Sequence, residues 1–197
     1  MKLEKFGVEG PLLLTPRVFG DDRGFFQESW NAKAFADTLA EAATGAATGA
    51  VAGFQQAPGF VQDNHSRSTR GVLRGLHMQV APHPQAKLVR CVVGEIFDVA
   101  VDLRPGSASH GQWVGARLSA DNHQQLWIPE GFAHGFLTLS AVADVLYKTN
   151  DYWSKESERS LRWDDPDLAI AWPLEELGGM EPLLSEKDAV APLLADA

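Results

Sequence analysis

Cysteine is almost missing from this chain: of 197 residues, only Cys91 carries a thiol. A disulfide within the chain is therefore excluded, and a reducing, cytoplasmic setting is expected. Cys91 lies in the apolar run LVRCVV and reads as a buried core residue. Long apolar runs are missing as well. No stretch approaches a bilayer span, and the opening MKLEKFGVEG lacks the apolar segment of a secretion signal. Basic residues are the minority, 17 Lys and Arg against 26 Asp and Glu, for a formal net charge of −9. That balance argues against nucleic acid and anionic membranes, which both reward a basic face. The length and the 45% hydrophobic content fit one domain over residues 1–197 with a real core.

One further absence is local. Between Asp63 and Glu95 there is no Asp or Glu, although the interval holds Arg67, Arg70, Arg74, Lys87, Arg90, His65, His77 and His83. A positive wall in a negative molecule suits a small phosphorylated ligand, because guanidinium forks match phosphate oxygens. A solvated basic loop is the competing reading.

What is present is mostly short strands punctuated by turns. EIFDVAVDL (95–103) places Val99, Val101 and Leu103 on one face. KLVRCVV and EIFDVAV flank Gly94, which suggests a tight hairpin between them. RPGSASHG, SADNH and PEG separate QWVGARL, QLWI and HGFLTL. Many evenly spaced short strands predict an all-β, antiparallel jelly-roll barrel or sandwich. Two short peripheral helices are expected. Asn31 caps one that runs to about Ala43, with Phe35 and Leu39 one turn apart. Ser185 opens the other, with Asp188 at its third helical position. The first helix runs into an Ala/Gly/Thr-rich stretch, residues 42–59, read as a mobile insertion loop.

The spacing from Gly71 to His77, followed by Pro129 to His134, resembles the two signature motifs of the cupin superfamily, many of whose members bind a metal through such histidines. Here Gln79 stands where a further histidine ligand would be, and His83 and Pro84 follow. Two histidines fall short of the three protein ligands expected at a catalytic metal, so no metal is expected. His77 is then free to act as a general base near neutral pH.

The runs VFGDDRGFFQESW, FVQDNHS, GVLRGLHMQ, QAKLVRCVVGEIFDVAVDLR, QLWIPEGFAHGF, LYKTNDYW, RWDDPDLAIAWP and LSEKDAVAPLL closely resemble the dTDP-4-dehydrorhamnose 3,5-epimerase family. The resemblance covers residues 12 to 194 apart from the Ala/Gly-rich stretch. It implies a metal-free, cofactor-free jelly-roll cupin, usually a homodimer, acting on a dTDP-sugar. By resemblance the base is His77, its paired carboxylate Asp188, the lysine near the substrate carbonyl Lys87, the second active-site histidine His134 and the tyrosine acid Tyr147. Nucleotide and sugar contacts fall on Arg23, Glu28, Gln62, Asn64, Arg74, Glu158 and Lys187. An aromatic that brackets the thymine of the other subunit points to Phe26 and Tyr152.

These residue types suit inversion beside a C4 ketone. A lysine stabilises the enolate oxygen, a histidine takes the proton, and a tyrosine returns one from the opposite face. Simpler readings stand beside each: Asp188 as a helix cap, Tyr147 as a strand aromatic, His134 as a satisfied core histidine. A relative that inverts only C3 and a non-catalytic sugar-nucleotide binder are the competing functions. Met78, Ala86 and Trp153 depart from the family pattern and are expected to retune the base-binding or sugar pocket.

Overall fold

The alternation of apolar residues in the sequence is realised as two antiparallel sheets packed face to face. The computed structural model describes residues 1–44 and 59–196; the greater part of the Ala/Gly-rich stretch lies outside them. The six-stranded sheet runs in the order β1 (Lys2–Lys5), β2 (Leu12–Thr15), β10 (Gln125–Ile128), β7 (Lys87–Val93), β12 (Val142–Thr149) and β5 (Gln62–Thr69). The five-stranded sheet runs β13 (Glu158–Ser160), β6 (Leu73–Gln79), β11 (Phe132–Thr138), β8 (Glu95–Asp102) and β9 (Trp113–Ser119). A separate ribbon pairs β3 (Val18–Asp21) with β4 (Gly24–Gln27).

Three apolar layers result. Between the sheets, Val89, Cys91, Ile96, Ala100, Leu126, Phe132, Phe136 and Val145 form the central core. Strand β8 alternates as expected, yet both of its faces are buried. Ile96 and Ala100 face the other sheet, while Val99 and Val101 face an outer cluster under Leu161, Leu168 and Trp172 of the C-terminal segment. Helix α1 (Ala32–Thr44) covers the six-stranded sheet. The Asn31 Oδ1 accepts the Ala34 N–H at 3.0 Å, and Phe35 and Leu39 bury themselves on Leu12, Leu14, Leu88 and Trp127. Cys91 is buried as predicted, and burial pushes its thiol up to about 12.

The hairpin expected at Gly94 is not there. β7 pairs with β10 and β12, whereas β8 pairs with β11 and β9. Gly94 is the point where the chain leaves one sheet and enters the other. Its φ of +73° is a left-handed value, and a Cβ would strike the Val142 carbonyl and Ser140 Oγ. A Gly-containing junction between two strands looks the same in sequence whether the strands pair or diverge.

The carboxylate-free interval is also neutralised more than its sequence suggests. Asp144 on β12 accepts two hydrogen bonds from Arg67 at 2.7 and 2.8 Å, and lies 3.5 Å from His65 Nε2. Asp151 takes His83 at 3.0 Å. Strand pairing thus brings acidic partners from distant segments. Arg74 is different: its guanidinium donates to Ser68 Oγ at 3.0 Å and the Arg67 carbonyl at 3.3 Å, with no ion pair among the described residues.

Candidate active site

The site is built where β6 and β11 face β7 and β12 across the barrel interior. Leu76 and Met78 pack outward into the cluster under the C-terminal segment, and His77 between them turns inward. A cavity of about 380 Å³ opens there. His77, Arg74, Lys87, His134, Tyr147, Lys187 and Asp188 all line it, beside Ser66, Leu73, Phe136 and Leu183–Ser185.

His77 Nε2 lies 2.6 Å from Asp188 Oδ1. Asp188 reaches it because Ser185 caps the short helix α2 (Glu186–Ala189), its Oγ accepting the Asp188 N–H at 3.1 Å. The capping role weighed for Asp188 therefore belongs to Ser185, which leaves the Asp188 carboxylate to the histidine. Burial pushes the Asp188 carboxyl up, but its hydrogen bond to His77, with smaller contributions from Ser185 and the Gly75 N–H, outweighs this and holds it below its ordinary value. With Nε2–H donated to Asp188, the lone pair of His77 sits on Nδ1, which makes no hydrogen bond among the described residues.

His134 is the register partner of His77 on the neighbouring strand. It is buried, and its Nε2 lies 2.7 Å from Asp98 Oδ1. Burial lowers its pKa, against the opposing pull of Asp98, so it is a neutral ring that donates Nε2–H. It is a satisfied histidine and a wall of the cavity at once. Asp98 was missed in the sequence, although a carboxylate inside the apolar run EIFDVAV asks for a partner just as Lys87 does.

Lys87 starts β7 and is buried, with Nζ donating to the His77 carbonyl at 3.2 Å. Burial draws its pKa down to about 8, while the carboxylates of Asp98 and Glu158 act the other way. Tyr147 stands on β12 in the opposite sheet to His77. Burial raises its pKa, so its hydroxyl stays protonated at neutral pH. Lys187 Nζ pairs with Glu158 Oε2 at 2.8 Å at the cavity edge.

Gln62 and Asn64 precede Ser66 at alternate positions of β5, on the face that Ser66 turns to the cavity, and Gln62 Nε2 donates to Asn64 Oδ1 at 2.9 Å. Neither they nor Glu158, which reaches the site only through its pair with Lys187, line the cavity itself, and four further predicted residues lie away from it within one chain. Arg23 turns onto Asp21 in its own ribbon, Phe26 is 69% exposed, Glu28 is exposed just after β4, and Tyr152 is 64% exposed beyond β12. Arg23 and Phe26 instead border a separate hollow with Phe19 and Phe25.

Gln79 holds backbone. Its Nε2 donates to the carbonyls of His83 at 2.7 Å and Tyr152 at 3.2 Å, and its Oε1 accepts the Ser154 N–H at 2.7 Å. The retuning expected of Met78 and Ala86 is not supported by their positions: Met78 packs outward, and Ala86 is buried beneath α1. Trp153 is exposed beside Tyr152.

Comparison with known proteins follows this geometry. The sequence profile of one family, described as dTDP-4-dehydrorhamnose 3,5-epimerase, matches residues 5–196. The dTDP-4-dehydrorhamnose 3,5-epimerase of Pseudomonas aeruginosa is 53% identical over 197 residues, covering 100% of this chain and 98% of that protein. The crystal structure of a dTDP-6-deoxy-D-glucose-3,5-epimerase from Legionella pneumophila in complex with dTDP-4-keto-L-rhamnose superimposes with a TM-score of 0.86 at 46% identity, covering 98% of this chain and 93% of that one. NovW, a 4-keto-6-deoxy sugar epimerase of Streptomyces spheroides, gives 0.85 at 37% identity, covering 100% and 89%.

Proposed function

This chain belongs to the dTDP-4-dehydrorhamnose 3,5-epimerase family, and from that premise we propose that the cavity around His77 performs the two inversions. The chain is an isomerase that converts dTDP-4-dehydro-6-deoxy-D-glucose to dTDP-4-dehydro-L-rhamnose. The observation that carries the assignment of roles is the placement of base and acid. His77, held by Asp188 at 2.6 Å, and Tyr147 project into one cavity from opposite sheets. A sugar ring lying between them meets a base on one face and a phenol on the other.

His77 Nδ1 removes the proton from the carbon beside the C4 ketone, and Asp188 offsets the charge of the imidazolium. The electron pair moves to the ketone oxygen, where the Lys87 ammonium meets it. Tyr147 delivers a proton to the carbon from the opposite face, and the enolate pair returns to form the new C–H bond. C3 and C5 both flank the ketone, so one constellation serves both centres. Arg74 and Lys187 are suited to the diphosphate, Arg74 the more so because no carboxylate among the described residues engages it. A protein that only bound the nucleotide sugar would need neither a carboxylate-held histidine nor a buried ammonium.

The nucleotide side is incomplete in one chain. Arg23, Phe26 and Glu28 lie on or beside the ribbon, away from the cavity, and Phe19, Phe25 and Phe26 are exposed there. A homodimer in which the ribbon of one protomer serves the cavity of its partner accounts for both facts. No helix among the described residues is long and apolar enough to cross a membrane; the single buried thiol fits the reducing cytoplasm.

The test is proton NMR in deuterium oxide with dTDP-4-dehydro-6-deoxy-D-glucose. Label at both C3 and C5 with inversion is expected. Label at C3 alone would make the chain a 3-epimerase, and no label would make it a binder.

A further inference from the structure

Beneath the cavity lies a carboxylate that no step of this reaction uses. Asp98 on β8 is fully buried. Its Oδ1 takes the Nε2–H of His134 at 2.7 Å, while its Oδ2 has no hydrogen-bond partner among the described residues. A carboxylate with a bare oxygen in an apolar interior is costly unless positive charge compensates it. His134 does not supply that charge, because burial keeps its ring neutral. Lys87, itself buried, lines the same cavity as the His134 that Asp98 holds, and its only hydrogen bond among the described residues runs at 3.2 Å to the carbonyl of His77, the register partner of His134.

We propose, resting on the reading that Lys87 meets the ketone oxygen, that Asp98 is the buried counter-ion that keeps Lys87 protonated. It is a positioning residue, acting through Lys87 and His134 without touching the sugar. An enolate oxygen is stabilised by an ammonium and not by a neutral amine, so the reaction depends on that proton.

The surroundings of Lys87 single out Asp98. Burial draws the lysine toward its neutral form; Asp98 from β8 and Glu158 from β13 oppose this, and Lys187 from α2 reinforces it. His77, His134 and Tyr147, from β6, β11 and β12, complete the wall; burial favours the neutral forms of His134 and Tyr147. Of the two carboxylates, Glu158 already pairs with Lys187 at 2.8 Å. Among the described residues Asp98 pairs with no lysine or arginine, and its Oδ2 has no hydrogen-bond partner.

The experiment is the pH dependence of kcat/KM for the Asp98→Asn variant, which removes the charge but leaves an oxygen to accept the His134 Nε2–H. The alkaline limb should move to lower pH by roughly one unit or more, as the loss of a close opposite charge implies. Activity should recover on the acid side of the displaced limb, and affinity for dTDP should be unchanged. The Asp98→Glu variant, which keeps the charge, should return the limb toward the parent position. An active Asp98→Asn variant with an unmoved limb overturns the proposal, even if its rate falls equally at every pH. A second measurement needs no substitution: carbon-13 NMR of labelled carboxyl groups in the parent protein should find Asp98 ionised throughout the working range. An Asp98 that stays protonated there overturns the proposal as well. Failure of the epimerase reading is distinct, since the parent would then take up no label at any pH.

Discussion

His77 and His134 sit opposite each other on β6 and β11, and each gives its Nε2 to a buried carboxylate, Asp188 at 2.6 Å and Asp98 at 2.7 Å. The two pairs differ in what surrounds them. Asp188 is held on the short C-terminal helix beside a partly open histidine, whereas Asp98 is fully buried behind a His134 that is itself buried in the cavity wall. Access to solvent and substrate makes the first pair suited to moving a proton and the second to holding charge in place.

His77→Asn should abolish deuterium uptake at both C3 and C5, because neither carbon can lose its proton without the base. The expected loss is at least about 100- to 10,000-fold. Binding of dTDP should survive, since Arg74 and Lys187 remain. Near-normal exchange in this variant would place the base elsewhere.

Tyr147→Phe separates exchange from inversion. The variant keeps the ring in its half-buried place on β12, so packing is preserved. His77 should still remove and return protons on one face, so label enters while configuration is retained. Inversion of both centres at the parent rate would leave Tyr147 as a strand aromatic.

Activity should fall on the alkaline side. Burial disfavours the Lys87 ammonium and brings its pKa to about 8, so the charged form is present below that pH and lost above it. The kcat/KM should drop roughly tenfold per unit beyond that point. Lys87→Arg, whose guanidinium does not deprotonate in this range, should remove the limb from whatever activity it retains. A limb that persists in this variant assigns it to another group.

Complementation tests the shared site. If the ribbon of one protomer serves its partner, Arg23→Ala and His77→Asn chains, each inactive alone, should regain activity when reassembled together. Random mixing gives one complete site in half of the dimers, hence about a quarter of the parent activity. No recovery would mean that Arg23 serves its own chain or that the protomers do not pair.

Chelators should leave the rate unchanged, and elemental analysis should find no stoichiometric metal. Gln79 is engaged with three backbone groups, and His77 and His134 each have a ring nitrogen bound to a carboxylate. Such a donor set falls short of three free ligands. One zinc, iron or manganese per chain, with activity lost on its removal, would reverse this.

The sequence by itself determined the strands, the two helix caps and the principal chemical groups of the site. Strand alternation, Asn31 before α1, Ser185 before α2, and a lysine and histidine in runs that otherwise bury apolar side chains are local signals, set by the period of the backbone and the cost of burying charge. What joins the groups was decided only by tertiary structure. Gly94 directs its flanking strands into different sheets, Asp144 neutralises Arg67 from across β5 and β12, and Asp98 meets His134 across β8 and β11. The facing of Tyr147 and His77 across the cavity is of the same kind. Each depends on which strands become neighbours, and that is fixed by long-range pairing and burial over many residues at once, which no single stretch of the chain encodes.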